Sequence, residues 1–293
     1  MLRSRQVLAG DDFDMPLIPR FYMKSVGFIY ARKASAPKDE GFLGVGFIAT
    51  VSSSVSKLKK FYYFVTNEHV IRNLDSVIVR LEGYPKKSNF VLLSIPRRRF
   101  EIRKSLDLAI APISTEEAII STVPEEIFVF ESDLKKRNID VGDEIFMVSR
   151  ILRDNMRYRE RNVQIMRFGN ISLIPQNEEL FYLTETRSVS GHSGSPVFVY
   201  PTPYVHGFNR KPEHTFPPML LGINRGHAID YEQIIDMNTK KAHPIYVSRT
   251  NQAISHVVPA WYISDVLNCE KFKKQRRYAE SRNTVGFGEI VED

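Results

Sequence analysis

Residues 191–198 read GHSGSPVF, and this short stretch says most about the fold and chemistry of the chain. A serine stands between two glycines, followed by a proline and an apolar run that is typical of a strand. A glycine before the serine allows a tight turn, so the N–H groups of Gly191 and Ser193 can face one point. Such a pair is an oxyanion hole, which stabilises the tetrahedral intermediate of acyl transfer. The alternative is an ordinary Gly/Ser turn that leads into a strand.

A serine nucleophile needs a histidine that takes its proton and a carboxylate that orients the histidine. Of the seven histidines, only His69 precedes the serine motif. It follows the aromatic and β-branched run 61–66, which predicts a strand. The imidazole is therefore expected at the end of a strand, on a rigid support, although a lone histidine can also be purely structural.

Asp107 is the carboxylate that fits this chemistry. It interrupts an apolar run over residues 106–113, and a buried carboxylate is costly unless it is paired. His69 would supply the partner. The alternative is that the carboxylate only accepts hydrogen bonds from nearby backbone.

The segments TNEHV at 66–70, LDLA at 106–109 and GHSGSPV at 191–197 resemble the three signatures of chymotrypsin-like serine peptidases. Within that family they look most like the protease domain of the bacterial glutamyl-endopeptidase and Deg/HtrA-like branch. The resemblance covers about residues 41 to 267. It implies a catalytic triad of His69, Asp107 and Ser193, with an oxyanion hole at Gly191 and Ser193. It also implies an all-β fold, a chymotrypsin-like double β-barrel with a C-terminal helix.

Short strand-like runs with turn signals between them agree with this architecture. One of these runs, Ile127–Glu131, is predicted to be a strand. A Pro-rich segment over 201–218 and the stretch 227–243 are predicted insertions, the second of them bordering the substrate cleft. We predict four parts, namely an N-terminal extension over 1–24, a first β-barrel lobe with His69 and Asp107 over 25–122, a second β-barrel lobe with Ser193, the oxyanion hole and the closing helix over 123–269, and a basic C-terminal tail over 270–293.

Two positions depart from the trypsin pattern. In self-activating trypsin relatives an aspartate precedes the nucleophile, and here that residue is His192, so we expect a structural histidine and no trypsin-type zymogen activation. Alignment of the motifs assigns the substrate-binding wall to Arg187, Ser188, Asn224 and Arg225. This wall has no acidic residue, so cleavage after Arg or Lys is not expected.

An arginine of the wall could instead pair with a substrate carboxylate. Arg187 or Arg225 therefore suggests cleavage after Glu or Asp. The alternative is that both arginines point to solvent. Asn224 stands where the glutamyl branch commonly has a histidine, which departs from that branch.

Composition limits the setting in which the protein works. A chain of 293 residues with 43% hydrophobic content is long enough for two cores. The single cysteine, Cys269, excludes an internal disulfide and suits a reducing compartment. With no signal peptide and no apolar run near the ~20 residues of a membrane span, we expect a cytoplasmic protein without a membrane partner.

The net charge is +7, with basic clusters over 96–104, 150–167 and 270–278. Charge runs usually form solvated faces, so nucleic acid is not expected as the partner. We expect a serine endopeptidase that cleaves a protein or peptide substrate with no cofactor and no metal, and that an activator or docking protein could direct. The alternative is a latent or non-catalytic protease-like module that binds a protein or nucleic-acid partner.

Overall fold

Long antiparallel strands build two β lobes. The protein is represented by a computed structural model, which describes residues 18–19, 21–31, 41–56, 59–82, 90–114, 121–150, 163–176, 180–200, 204–205, 208–209, 216–235, 239 and 242–282.

The first lobe is a curled sheet of eight strands. The strands are β1 (Val26–Tyr30), β2 (Phe42–Ser52), β3 (Lys60–Asn67), β4 (Ser76–Glu82), β5 (Phe90–Pro96), β6 (Glu101–Arg103), β7 (Leu108–Ile113) and β8 (Val123–Pro124). Seven of them follow the order β5-β4-β1-β2-β3-β7-β6, and β8 pairs in parallel with β2. Two short helices accompany the sheet, α1 (Phe21–Lys24) and α2 (Glu68–Ile71).

The second lobe is a closed barrel, built from β9 (Glu144–Arg150), β10 (Gln164–Leu173), β11 (Tyr182–Glu185), β12 (Pro196–Val199), β15 (Met219–Ile235) and β16 (Ala242–Pro259). The order of the strands around the barrel is β10-β11-β16-β15-β12-β9. A two-stranded hairpin of β13 (Tyr204–Val205) and β14 (Phe208–Asn209) precedes β15. The helices are α3 (Glu131–Arg137), α4 (Ala260–Leu267) and α5 (Glu270–Ser281).

Several strands are apolar on both faces because each face packs against a different core. In β3, Phe61, Tyr63 and Val65 face a core that lies between the lobes, while Phe64 faces the interior of the first lobe. The second lobe repeats the pattern in β9, where Phe146 faces the shared core and Met147 faces the barrel interior. Successive side chains of a strand point to opposite faces. The lobes are therefore held together by one continuous apolar core.

The predicted all-β, two-lobed fold with a C-terminal helix is confirmed. The predicted closing helix is α4, with Pro259 as its N-cap residue. The strand predicted at Ile127–Glu131 is wrong, because Glu125–Ile127 form a 3₁₀ turn and α3 begins at Glu131. A short apolar run does not separate these conformations by its pattern alone.

The predicted insertion over 227–243 is largely a continuation of the barrel strands. β15 and β16 pair from Gly222↔Pro259 outward to Ile235↔Ala242, so they form a hairpin that extends beyond the barrel. Most of the Pro-rich segment 201–218 lies outside the described residues. The same holds for 151–162 of a predicted basic cluster and for 1–17 and 283–293 of the predicted extensions.

The first and last helices that the structure describes, α1 and α5, both pack against the lobes. Tyr22 of α1 is buried against Phe146 and Phe198, and its hydroxyl donates to the Pro218 carbonyl at 2.7 Å. Residues 270–281, which sequence assigned to a basic tail, form α5. Phe272 of this helix packs on Tyr63 with ring centroids 5.1 Å apart. Among the described residues, no helix combines the length and the apolarity needed to cross a membrane.

Candidate active site

His69 and Asp107 come together at one end of the first lobe. β3 ends at Asn67, and His69 lies in the helical turn that follows. Asp107 ends a 3₁₀ turn and adopts a left-handed backbone with φ 54° and ψ 39°. This turn brings the Asp107 carbonyl to Asn67 and Glu68, which donate hydrogen bonds to it at 3.1 and 3.0 Å. The backbone thus fixes the aspartate beside the histidine.

Both carboxylate oxygens of Asp107 are used by His69. Oδ1 accepts the His69 backbone N–H at 2.9 Å, and Oδ2 lies 2.6 Å from the imidazole Nδ1. The aspartate side chain is 7% exposed and the histidine side chain 39% exposed. An imidazole that donates Nδ1–H to a carboxylate leaves Nε2 as an acceptor. The pair therefore has the arrangement of an oriented general base.

The serine motif forms a tight turn in the second lobe, just before β12. Gly191 and Gly194 have φ of 94° and 90°, values that glycine adopts without strain. The His192 N–H donates to the Val189 carbonyl at 3.0 Å, and the Ser195 N–H donates to the His192 carbonyl at 3.2 Å. Within the part of the chain that the structure describes, the amides of Gly191 and Ser193 donate to no backbone carbonyl, which leaves both as available donors.

The turn is tied to the first lobe. The Val45 N–H donates to the Ser193 carbonyl at 2.8 Å, and the Val45 carbonyl accepts the Thr66 hydroxyl at 2.7 Å. A Cβ at Gly194 would collide with this same Val45 carbonyl, so only glycine fits there. Asn224 holds the other side, since its backbone accepts from Gly194 at 2.9 Å and donates to Ser195 at 2.8 Å. The serine is thus placed at the junction of the lobes.

The hydroxyl of Ser193 does not point to the base. It donates to the Arg225 carbonyl at 3.1 Å, and the described residues show no hydrogen bond between Ser193 and His69. Catalytic hydrogen bonds are often absent or long without substrate. Rotation about the Cα–Cβ bond of Ser193 would move the hydroxyl away from Arg225.

The Arg225 side chain turns toward the aspartate of the His69–Asp107 pair. Its Nε lies 3.5 Å from Asp107 Oδ2, and its guanidinium lies over the Phe181 ring, 4.8 Å from the centroid. Sequence predicted a substrate-binding arginine at this position. The sequence did not indicate the contact with Asp107, because a motif carries no information about the conformation of a long side chain.

His192 is a buried structural residue of the serine turn. Its Nδ1 accepts the Val189 N–H at 3.4 Å, and its Nε2 donates to the Arg150 carbonyl at 3.1 Å. This pattern requires the neutral imidazole. Burial, followed by the charge of Arg167, lowers the pKa of His192 to about 4. The sequence predicts a structural role for His192 but does not identify Val189 and Arg150 as its partners.

The predicted substrate wall contains a buried polar network. Asn224 Nδ2 donates to Ser188 Oγ at 3.1 Å and to the His192 carbonyl at 2.9 Å. The Ser188 carbonyl accepts Asn251 Nδ2 at 2.6 Å, a contact that the motifs did not reveal. Asn224 Oδ1 is buried and has no hydrogen-bond partner in the described part of the chain, whereas Arg187 is exposed. Of the four predicted wall residues, Ser188 and Asn224 are therefore in contact, whereas Arg187 is exposed and the Arg225 side chain lies against Asp107.

A metal centre finds no support in the described ranges, where no three His, Cys, Asp or Glu side chains cluster suitably for an ion. The lobe junction thus carries the hydrogen-bonded pair of His69 and Asp107 on the first lobe and the Ser193 hydroxyl on the second.

Comparison with known proteins gives structural similarity only. No family model matches the sequence, and no curated protein matches it. The fold is similar to the apo protease domain of MamO from Magnetospirillum magneticum, at 15% identity and a TM-score of 0.47, covering 85% of this chain and 98% of that one. It is also similar to a serine endoprotease from Yersinia pestis, at 17% identity and a TM-score of 0.46, covering 87% and 65%.

A third similar structure is the HtrA-type protease AlgW with a tripeptide, at 18% identity and a TM-score of 0.45, covering 84% of this chain and 60% of that one. The present chain thus spans less than two thirds of the Yersinia and AlgW chains. At these identities and TM-scores, the function has to be argued from the geometry of the chain itself.

Proposed function

We propose that this chain is a serine endopeptidase that hydrolyses peptide bonds of protein or peptide substrates. The observation that carries the proposal is the bidentate use of the Asp107 carboxylate by His69, 2.6 Å at the ring and 2.9 Å at the backbone. A structural histidine needs only one partner, whereas this arrangement fixes both the tautomer and the ring orientation of a base.

In the proposed acylation step, Ser193 Oγ attacks the scissile carbonyl carbon while His69 Nε2 takes the hydroxyl proton. The carbonyl oxygen becomes an oxyanion, for which the N–H groups of Gly191 and Ser193 are the donors at hand. Asp107 stabilises the imidazolium. The C–N bond then breaks, the leaving amine takes the proton from Nε2, and Ser193 holds the acyl group as an ester.

Deacylation follows the same route with water. His69 Nε2 takes a proton from a water molecule, whose oxygen attacks the ester carbonyl. The C–O bond to Ser193 breaks as the imidazolium returns its proton to Oγ. No cofactor is needed, because every proton and electron pair is supplied by the side chains, the substrate and water.

The test is labelling with a fluorophosphonate probe, which reacts with an activated serine hydroxyl. We expect labelling of the wild type and its loss in Ser193→Ala and His69→Ala. Ser195→Ala is the matched control, because Ser195 Oγ is buried in the same turn and finds no hydrogen-bond partner among the described residues. Labelling that persists in Ser193→Ala, or disappears in Ser195→Ala with the fold intact, would contradict the assignment.

A latent or non-catalytic protease-like module is the second candidate function. One observation favours it, namely that the Ser193 hydroxyl donates to the Arg225 carbonyl and not to His69. Well-folded wild type that fails to label would support this candidate. Labelling restored by an added protein would then identify an activator, and partner binding without any labelling would indicate a binding module.

The specificity hypothesis, cleavage after Glu or Asp, rests on the two arginines of the wall. Arg187 is exposed, which agrees with the alternative of a solvent-directed side chain, and Arg225 turns to Asp107. A substrate library without any cleavage after acidic residues would end the hypothesis. We also propose a reducing compartment such as the cytoplasm, since the chain contains one cysteine and hence no internal disulfide.

A further inference from the structure

Two basic runs that lie far apart in the sequence form one surface in the fold. The runs 96–104 and 270–278 each hold five basic residues and one acidic residue. The first run includes β6, which ends the strand order of the first lobe, and the second forms most of α5. A charge pattern predicts two separate solvated faces here, because it does not show which runs become neighbours.

Glu101 of β6 joins the two runs. Its Oε1 lies 2.7 Å from Arg103 Nη1, and its Oε2 lies 3.5 Å from Lys271 Nζ at the start of α5. The side chains of Arg103 and Lys271 are 46% and 44% exposed. Because one carboxylate offsets only one of the two cations, a net positive charge remains where β6 meets α5.

The positive charge continues along α5 beside an exposed aromatic ring. Lys271, Lys274 and Tyr278 are three and four residues apart, so they share one side of the helix. The guanidinium of Arg282, just after the helix, lies over the Tyr278 ring, 4.6 Å from the centroid. All four side chains are exposed. We use the name basic surface for Arg103, Lys104, Lys271, Lys274, Tyr278 and Arg282.

The other end of the basic surface reaches the turn that carries His69. The charge of Lys104 acts on Glu68, the residue before His69. Glu68 repeats the arrangement of Glu101, since it lies 2.6 Å from Arg72 Nη2 and 4.0 Å from Arg97 Nη2. Two cations again share one carboxylate. The positive potential therefore extends from α5 across β6 to the His69 turn.

We propose that the basic surface binds single-stranded nucleic acid, with its cations on the phosphates and Tyr278 stacked on a base. This inference goes beyond the proposed function and does not depend on it. An exposed ring among cations offers a stacking platform that a base can use and the carboxylates of an acidic peptide cannot. The apolar side of α5, Phe272 and Ala279, is buried in the protein, so it is not available for insertion into a membrane.

The experiment measures the affinity for a fluorescein-labelled single strand of about 20 nucleotides, as RNA and as DNA, by fluorescence anisotropy over a salt series. Each lost phosphate contact lowers the slope of log affinity against log salt by about 0.7. For Lys271→Gln/Lys274→Gln we therefore expect a slope lower by about 1.4 and an affinity about 25-fold weaker at ~0.1 M salt. Arg103→Gln, on the other run, should lower the slope by about 0.7.

The matched control is Lys135→Gln/Lys136→Gln, which removes the same charge from exposed positions of α3 and should leave slope and affinity near the wild-type values. Tyr278→Ala should weaken binding about fivefold or more with an unchanged slope, because stacking releases no counterions. Tyr278→Phe, which keeps the ring, should bind like the wild type. Circular dichroism of each variant checks that the fold is intact.

Equal affinities of the α5 pair and the α3 pair of variants would overturn the proposal. Polyglutamate that binds as tightly as the oligonucleotide, with no effect of Tyr278→Ala, would assign the surface to an acidic polypeptide instead. Co-sedimentation with phosphatidylserine vesicles in the absence of oligonucleotide binding would assign it to a membrane. Fluorophosphonate labelling is read separately, so nucleic-acid binding and the proposed peptidase activity can fail independently of each other.

Discussion

Acidification should loosen the serine turn through His192, the residue before the proposed nucleophile Ser193. The side chain is fully buried, with Nδ1 accepting from Val189 and Nε2 donating to the Arg150 carbonyl. A proton on Nδ1 would remove the acceptor and place an unpaired charge in the core. The native protein therefore binds this proton more weakly than the unfolded chain does.

The sign and the size of the effect follow from the pKa of His192, which falls from 6.5 to about 4 on folding. The contribution to stability is fully present above pH 6.5, is lost as the pH falls toward 4, and stays constant below that. A shift of this size corresponds to about 3 kcal/mol. Domains are stabilised by only ~5–15 kcal/mol in total, so the loss should be plainly visible.

The assay is urea unfolding of wild type and His192→Gln between pH 4 and 8. Glutamine does not titrate, so the difference between the two free energies of unfolding isolates the histidine from the carboxylates that titrate in the same range. We expect the variant to be less stable at pH 7.5, and the difference to shrink by about 3 kcal/mol by pH 4. Parallel curves over the whole range would refute the reasoning, because they would mean that His192 is protonated equally in both states.

Two further predictions concern packing. Gly194→Ala should destabilise the protein by about 3 kcal/mol or more, since φ is 90° and the new methyl group meets the Val45 carbonyl. Gly226→Ala, with no atom within 4 Å of the added Cβ, should change the free energy of unfolding by less than about 0.5 kcal/mol in the same urea titration. Phe272→Ala should cost about 3–5 kcal/mol, because the ring is fully buried against the first lobe. Lys274 of the same helix is exposed, so Lys274→Ala should leave the melting temperature unchanged. Equal melting temperatures for Phe272→Ala and Lys274→Ala would show that α5 does not belong to the core.

Much of the fold follows from sequence because the lobes use long apolar strands. The runs at 42–50, 61–66 and 144–150 are apolar on both faces, and each lies where the structure has a strand. The basic helix α5 was missed because Lys and Arg dominate its composition, and its buried face consists of Phe272, Arg276 and Ala279. Arg276 is buried by donating to the Tyr63 hydroxyl at 2.8 Å, a partner that only the tertiary fold supplies.

The candidate site divides in the same way. The pairing of His69 with Asp107 was predictable, because a carboxylate in an apolar run needs a partner. The direction of the Ser193 hydroxyl and the contact of the Arg225 side chain with Asp107 were not predictable. The conformations of both side chains are set by neighbours that are distant in sequence. Phe181 lies 44 residues before Arg225, and no pattern in the chain links the two.

The Val45 N–H donates to the Ser193 carbonyl, so the labelling of the proposed nucleophile would also report how well the two lobes fit together. If the lobes separate while their strands stay intact, Ser193 loses this hydrogen bond. Reactivity toward the probe should therefore fade earlier on a heating ramp than the β signal in circular dichroism. A fragment that contains the whole serine motif but lacks Val45 should be inert, however well its barrel folds.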